Sequence, residues 1–285
     1  MRSIFAAELP SLPKAVERMM TCLSEANPTS RLLALGCALI VSVTSCASNG
    51  DNEVTDMSEA PLVHLLAEGE VVFGIFSRSY DVDLATDFLF YSLESGPFDI
   101  PGMHVFVQSK RDSAGGAETH PLVLRIPPIR DGHDAARDHV REGLAAGAVS
   151  IVFPHVETME EAELAVSAMG DESWPGNASG TLVNMLLIED QVGVQNAREI
   201  VGVAGVSVVF PGPGDLRRAY DSDMDAVESA IQTVLAACKE FDVACGIRAG
   251  VDDIAERLEQ GFRVIIVTEA AALEVGMEAA GRPTG

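Results

Sequence analysis

Two acids and one arginine stand at the ends of apolar runs in this chain of 285 residues. Glu189 follows NMLLI, Asp215 follows VVFPGPG, and Arg125 comes near the end of PLVLRI. Two carboxylates from neighbouring strands bind a hard divalent cation and leave positions open for water and a ligand. The planar arginine fork grips a carboxylate through two parallel bonds. A glycine-lined turn, here around Gly212 and Gly214, bares backbone N–H groups that a small anion can approach closely. Cation, guanidinium and backbone donors together describe a site for a small 2-oxo acid. Its carboxylate and keto oxygen would chelate the metal, which would stabilise an enolate as Lewis acid. His155, after VSIVFP, adds an imidazole that could move a proton. Each residue also has a plainer reading. Arg125 could tie a strand end to a nearby acid, Glu189 could be a solvated loop acid, and Asp215 could cap the helix beginning LRRAY. His155 could be a rim histidine.

The elements that must position these groups count to eight. Short apolar runs occur at 71–76, 87–93, 121–126, 149–153, 184–188, 206–210, 243–247 and 263–267. Most are rich in Val, Ile, Leu and Phe, as strands buried on both faces of a parallel sheet require. Amphipathic stretches alternate with them: DAARDHVREGLAAG, TMEEAELAVSAMG, VGVQNAREIVGVAG, DAVESAIQTVLAACKEF and VDDIAERLEQG. Thr158 with Glu161 three residues on is a capping-box pattern. The alternation predicts a (β/α)8 TIM barrel. An open doubly wound sheet is the competing arrangement, but no GxGxxG follows the first strand. In a barrel, chemistry gathers at the carboxyl ends of the strands. Those ends carry Glu94-Ser95, Arg125, His155 with Glu157, Glu189-Asp190, and Gly214-Asp215. His104, His133 and His139 fall on outer helices or loops.

Composition narrows the partners. With 43 acids against 19 bases the net charge is -24, which argues against nucleic acid. The stretch RLLALGCALIVSVTSC, Arg31 to Cys46, is a basic residue followed by an apolar run too short to span a bilayer. It fits a secretory signal, residues 1–46, whose last four residues resemble a bacterial lipobox with Cys46 as the lipidated residue. A buried N-terminal helix is the competing reading. Residues 47–60 read as a polar tether and 61–285 as the barrel domain. The expected location is the bacterial envelope, with membrane contact through lipid only, or the cytoplasm if the signal is not one. Cys238 and Cys245 read as small buried hydrophobes, and no CxxC or zinc spacing occurs.

The stretches PLVLRIP, FPHVETMEEAE, LLIEDQVGVQNAREI and VVFPGPGDL together resemble the HpcH/HpaI aldolase/citrate lyase family. The resemblance runs from Pro61 to Val267 and implies a divalent-metal-dependent (β/α)8 lyase using Mg, Mn or Co. Many members make or break the bond between a pyruvate-like enolate and an aldehyde. It implies Glu189 and Asp215 as metal ligands, Arg125 as the grip on the pyruvate carboxylate, and the amides of Gly214 and Asp215 as further donors to it. It also implies a homo-oligomer, commonly a hexamer. The departures fall on proton transfer: the family's Asp-x-Glu-His after strand two is Ser92-Leu93-Glu94-Ser95 here. Serine is no general base near neutral pH without a partner. Leu187 stands where the family has Gln, and only residues 170–183 join the fourth helix to strand five. Two functions follow: a carbon–carbon lyase of a 2-oxo acid in which water or His155 moves the proton, or a small-carboxylate-binding lipoprotein on the same barrel. An acyl-thioester lyase fits less well, because no basic patch for a coenzyme phosphate is evident.

Overall fold

A computed structural model describes residues 62–76, 86–113, 120–267 and 269–282. The segment with Arg31 and Cys46, the tether 47–60 and the first βα connection at 77–85 lie outside the described residues. Among the described residues no helix is long and apolar enough to cross a membrane.

The strands are β1 (Val72–Phe76), β2 (Phe88–Ser92), β3 (Leu122–Arg125), β4 (Ala148–Phe153), β5 (Ser173–Trp174), β6 (Leu182–Ile188), β7 (Val208–Pro211), β8 (Ala244–Arg248) and β9 (Val264–Val267). All eight expected runs are strands, shifted by two residues or less at each boundary; β5 is an unforeseen two-residue addition beside β6. Every pairing is parallel. The order runs β4-β3-β2-β1-β9-β8-β7-β6, and β4 pairs with β6 to close the ring. Eight strands therefore form a closed barrel, and the open sheet is excluded.

Period-two alternation splits the strands into two apolar layers. Phe88, Phe90, Val123, Met185, Leu187, Val208, Phe210 and Ala244 share the interior core. Helix α1 (Leu62–Ala67) adds Leu62, Leu65 and Leu66 to that interior, so it plugs the barrel. The outward side chains of the strands pack in the second core against the surrounding helices. These are α2 (Ile100–Ser113), α3 (His133–Ala145), α4 (Met159–Met169), α5 (Gln191–Gln195), α6 (Ala197–Val201), α7 (Pro213–Ala219), α8 (Met224–Phe241), α9 (Ile254–Gln260) and α10 (Ala270–Ala279). His104 lies in α2, and His133 and His139 in α3, away from the strand ends.

Local signals worked where they were specific. The capping box forms: Thr158 Oγ1 accepts the Glu161 N–H at 3.2 Å, and Glu161 Oε2 accepts the Thr158 N–H at 3.3 Å. The single helix expected over 192–205 is instead two, broken at Asn196. Asn196 Nδ2 donates to the carbonyl of Glu157 at 2.8 Å, so a tie to the neighbouring strand's loop replaces helix continuity. Arg282, after α10, ties back to the residues that precede β1 and β2. Arg282 donates to both oxygens of Asp87, at 2.6 and 2.8 Å, and to the carbonyl of Val71 at 3.0 Å. Asp87 in turn accepts the N–H of Phe73 at 2.7 Å.

Candidate active site

The interior alternation continues past the apolar layer and selects which residues reach the mouth. Phe90 is followed by Ser92, Val123 by Arg125, Leu187 by Glu189, Phe210 by Gly212, and Gly246 by Arg248. A cavity of about 530 Å³ opens there, floored by Phe90, Leu187, Phe210 and Ile266 and walled by polar groups. Arg125, His155, Glu189, Gly214 and Asp215 all line it, so these five residues face one space.

Glu189 is the centre. It is only 3% exposed, which excludes the solvated-loop reading. Its Oε2 accepts the backbone N–H of His155 at 3.0 Å and lies 3.5 Å from His155 Nδ1. Burial pushes its pKa up to about 7, opposed by that backbone bond. Gly212 explains the small residues that end β7. A Cβ there would lie 2.6 Å from Glu189 Cγ and 2.8 Å from Oε1, so only glycine leaves room for the carboxylate.

His155 adopts φ 53°, a left-handed conformation uncommon outside glycine. Arg130 holds it there. One guanidinium nitrogen donates to the His155 carbonyl, and the other reaches Glu157 Oε1 at 2.5 Å. The imidazole lies between two acids, with Nε2 3.8 Å from Glu94 and Nδ1 near Glu189. Burial nevertheless pulls its pKa below the usual value; Glu94 and Asp190 oppose this in part, and Arg130 and Arg125 reinforce it. The shift favours the neutral imidazole. Glu157 and Asp190 do structural work: both pair with Arg130, and Asp190 caps α5 by accepting the Gly193 N–H at 2.8 Å.

Arg125 ties its strand end to a nearby acid and also borders the cavity. Nη2 pairs with Glu94 at 2.9 Å and Nε donates to Ser92 Oγ at 3.0 Å, while the same side chain lines the cavity. β2 and β3 pair Ser92 with Arg125 in register. Ser92 therefore orients the guanidinium. Ser95 also faces the cavity.

Asp215 is not a helix cap; Gly212 holds that position, and Asp215 sits in the first turn of α7. Its carboxylate pairs with Arg218. Gly214 and Asp215 occupy first-turn positions whose N–H groups have no intrahelical acceptor.

One group of donors could hold a cation among the described residues: Glu94, His155 and Glu189, with ligand atoms all within 4.8 Å of one another. Two carboxylates and one imidazole fit a divalent cation such as Mn or Co, and the oxygens alone suit Mg. Glu189 belongs to this group and to the pair expected from the sequence; Asp215 stands on the same wall, turned to Arg218. Sequence reasoning noted Glu94 without giving it a role. It missed Arg218 and Arg248, which also line the cavity, because a cation near a strand or helix end reads as solvated.

Fold and cluster define the class: a (β/α)8 barrel whose carboxyl face gathers acid, imidazole and guanidinium around one cavity. Within that class the chain belongs to the HpcH/HpaI aldolase/citrate lyase family, which matches residues 107–268. It is 26% identical over 264 residues to the hydroxypyruvate/pyruvate aldolase of Delftia acidovorans, covering 79% of this chain and 94% of that enzyme. It is 28% identical over 166 residues to the 2-dehydro-3,6-dideoxy-6-sulfogluconate aldolase of Pseudomonas putida, covering 49% of this chain and 65% of that enzyme's length. The fold matches a HpcH/HpaI aldolase/citrate lyase family protein from Burkholderia cenocepacia with TM-score 0.59 and 23% identity, covering 76% of this chain and 96% of that one.

Proposed function

We propose that this protein is a divalent-metal-dependent carbon–carbon lyase that acts on a pyruvate-type 2-oxo acid with an altered proton-transfer site. The observation that carries it is the buried Glu189, set beside His155 and Glu94, in one cavity with Arg125. Relatives named as aldolases of hydroxypyruvate/pyruvate and of a keto-sugar acid support the substrate class. Glu189, with Asp215 and Glu94 around it, would hold the cation and leave the His155 imidazole free. When bound, Mg, Mn or Co supplies Lewis-acid stabilisation of the enolate oxygen. Arg125, preset by Ser92 and Glu94, orients the substrate carboxylate. The first-turn amides of Gly214 and Asp215 offer it further donors. His155 is the group on this face suited to accept a methyl proton, because burial favours its neutral form and Arg130 fixes its backbone. A second reading has its own support. Ser92 Oγ is bonded to Arg125 rather than to a base, which favours a protein that binds a small carboxylate and transfers protons poorly. In either reading the barrel acts at the cell envelope, tethered through Cys46 and residues 47–60; the apolar run after Arg31 supports this.

Exchange of pyruvate methyl protons into deuterated water, followed by NMR, separates the readings. The expected result is exchange that requires Mg, Mn or Co. Pyruvate binding without exchange would favour the second reading. Neither binding nor exchange would remove pyruvate as the ligand.

A further inference from the structure

Arg248 ends β8 on the interior side of the barrel. The strand turns Ala244, Gly246 and Arg248 inward in succession. Ala244 is buried in the interior core, and a Cβ at Gly246 would come within 2.2 Å of the Phe210 ring that floors the cavity. Period two then aims Arg248 into the cavity it lines. Its counterpart is Arg125. β3 and β8 are third and seventh of the eight barrel strands, so the two arginines stand on opposite sides of the mouth. The other arginines that line the cavity have carboxylate partners, Glu94 for Arg125 and Asp215 for Arg218. Among the described residues, Arg248 makes no ion pair or side-chain hydrogen bond. In a chain with 43 acids against 19 bases, such a cation over a cavity of about 530 Å³ is suited to an anion that a ligand brings.

We propose that Arg248 is a specificity-determining residue. It receives a second oxyanion, at the far end of a substrate whose 2-oxo acid group lies at Arg125. The guanidinium fork suits a carboxylate or a phosphate-type group equally. A substrate with a terminal anion is held at both ends, and one without it at one end only. The inference rests on the Arg125 reading above and adds the partner half of the substrate to it.

Calorimetric binding with Mn present tests this on 2-oxo acids of matched length. The pairs are 2-oxoglutarate against 2-oxovalerate and 2-oxoadipate against 2-oxohexanoate, with a terminal-phosphonate analogue of 2-oxoglutarate as a third arm. The purified protein is expected to bind the member with the terminal anion about tenfold or more tightly in at least one pair. The best pair reports the reach, and the phosphonate arm tells carboxylate from phosphate-type recognition. Arg248→Met is expected to bring the ratio to about one, and Arg248→Lys to an intermediate value, because lysine keeps the charge and loses the fork. A ratio near one in the unaltered protein, or a ratio that survives Arg248→Met, overturns the proposal. Equal binding of both members overturns it while leaving Arg125 its role; binding of neither overturns both.

Discussion

Glu189→Gln is expected to lower metal-dependent pyruvate exchange by about a thousandfold or more, since the Lewis acid it helps to hold is worth several kcal/mol. The same variant is expected to be more stable than the parent at about pH 8 without metal, by an amount on the order of 3 kcal/mol. The two effects have one cause. Burial raises the Glu189 pKa from 4.5 to about 7, so the folded chain binds that proton more tightly than the unfolded chain does. The stability this provides is fully present below about pH 4.5 and is lost as pH rises through about 7. Glutamine stays neutral and removes that slope. It keeps an oxygen to accept the His155 N–H. Denaturant unfolding in chelator at about pH 5 and about pH 8 checks the stability half, with the exchange assay as its companion. Equal pH slopes in parent and variant would show that Glu189 is not the buried acid described. Cation binding must displace the same proton, so metal affinity should rise with pH through that window.

The second large effect is on the fold. Arg282→Met is expected to cost about 3–5 kcal/mol, because Asp87 would be left charged and buried without a partner. Asp87 is 2% exposed and the Arg282 side chain 7%. The loss corresponds to a fall in Tm of roughly 10 °C for a domain of this size. The double variant Arg282→Met with Asp87→Asn is expected to recover most of it. Asparagine removes the charge and keeps an oxygen for the Phe73 N–H. A Tm for Arg282→Met within about 2 °C of the parent would mean that water reaches the pair.

The barrel was legible because its strands are buried on both faces, which makes them continuous apolar runs with little ambiguity of period. The site was legible in part for the same reason. Once the strands are fixed, Arg125 and Glu189 must stand at their carboxyl ends on the inner side. What could not be read depended on contacts remote in sequence. Asn196 breaks a helix that its own pattern would continue, because Glu157 supplies an acceptor from another loop. LVHLLA is too short to show a helical period, yet it fills the barrel as α1. Glu94 looked like a plain strand-end acid; its closeness to Arg125 and His155 depends on how the loops turn. Asp215 meets Arg218 through an i,i+3 step along a helix whose start the two prolines obscure.

The fit of Gly212 against Glu189 has a consequence for how this sequence can change. The two positions belong to different strand ends, yet they form one steric unit. Gly212→Ala alone would displace the carboxylate and should be rejected in any selection that depends on it. Glu189→Asp withdraws the acid by one methylene, which is the space the new methyl needs. A library varied at both sites should therefore return Gly212→Ala only in company with a shortened acid. Survival at one codon would depend on the state of the other, an epistasis set by the 2.6 Å that would separate a methyl at position 212 from Glu189 Cγ.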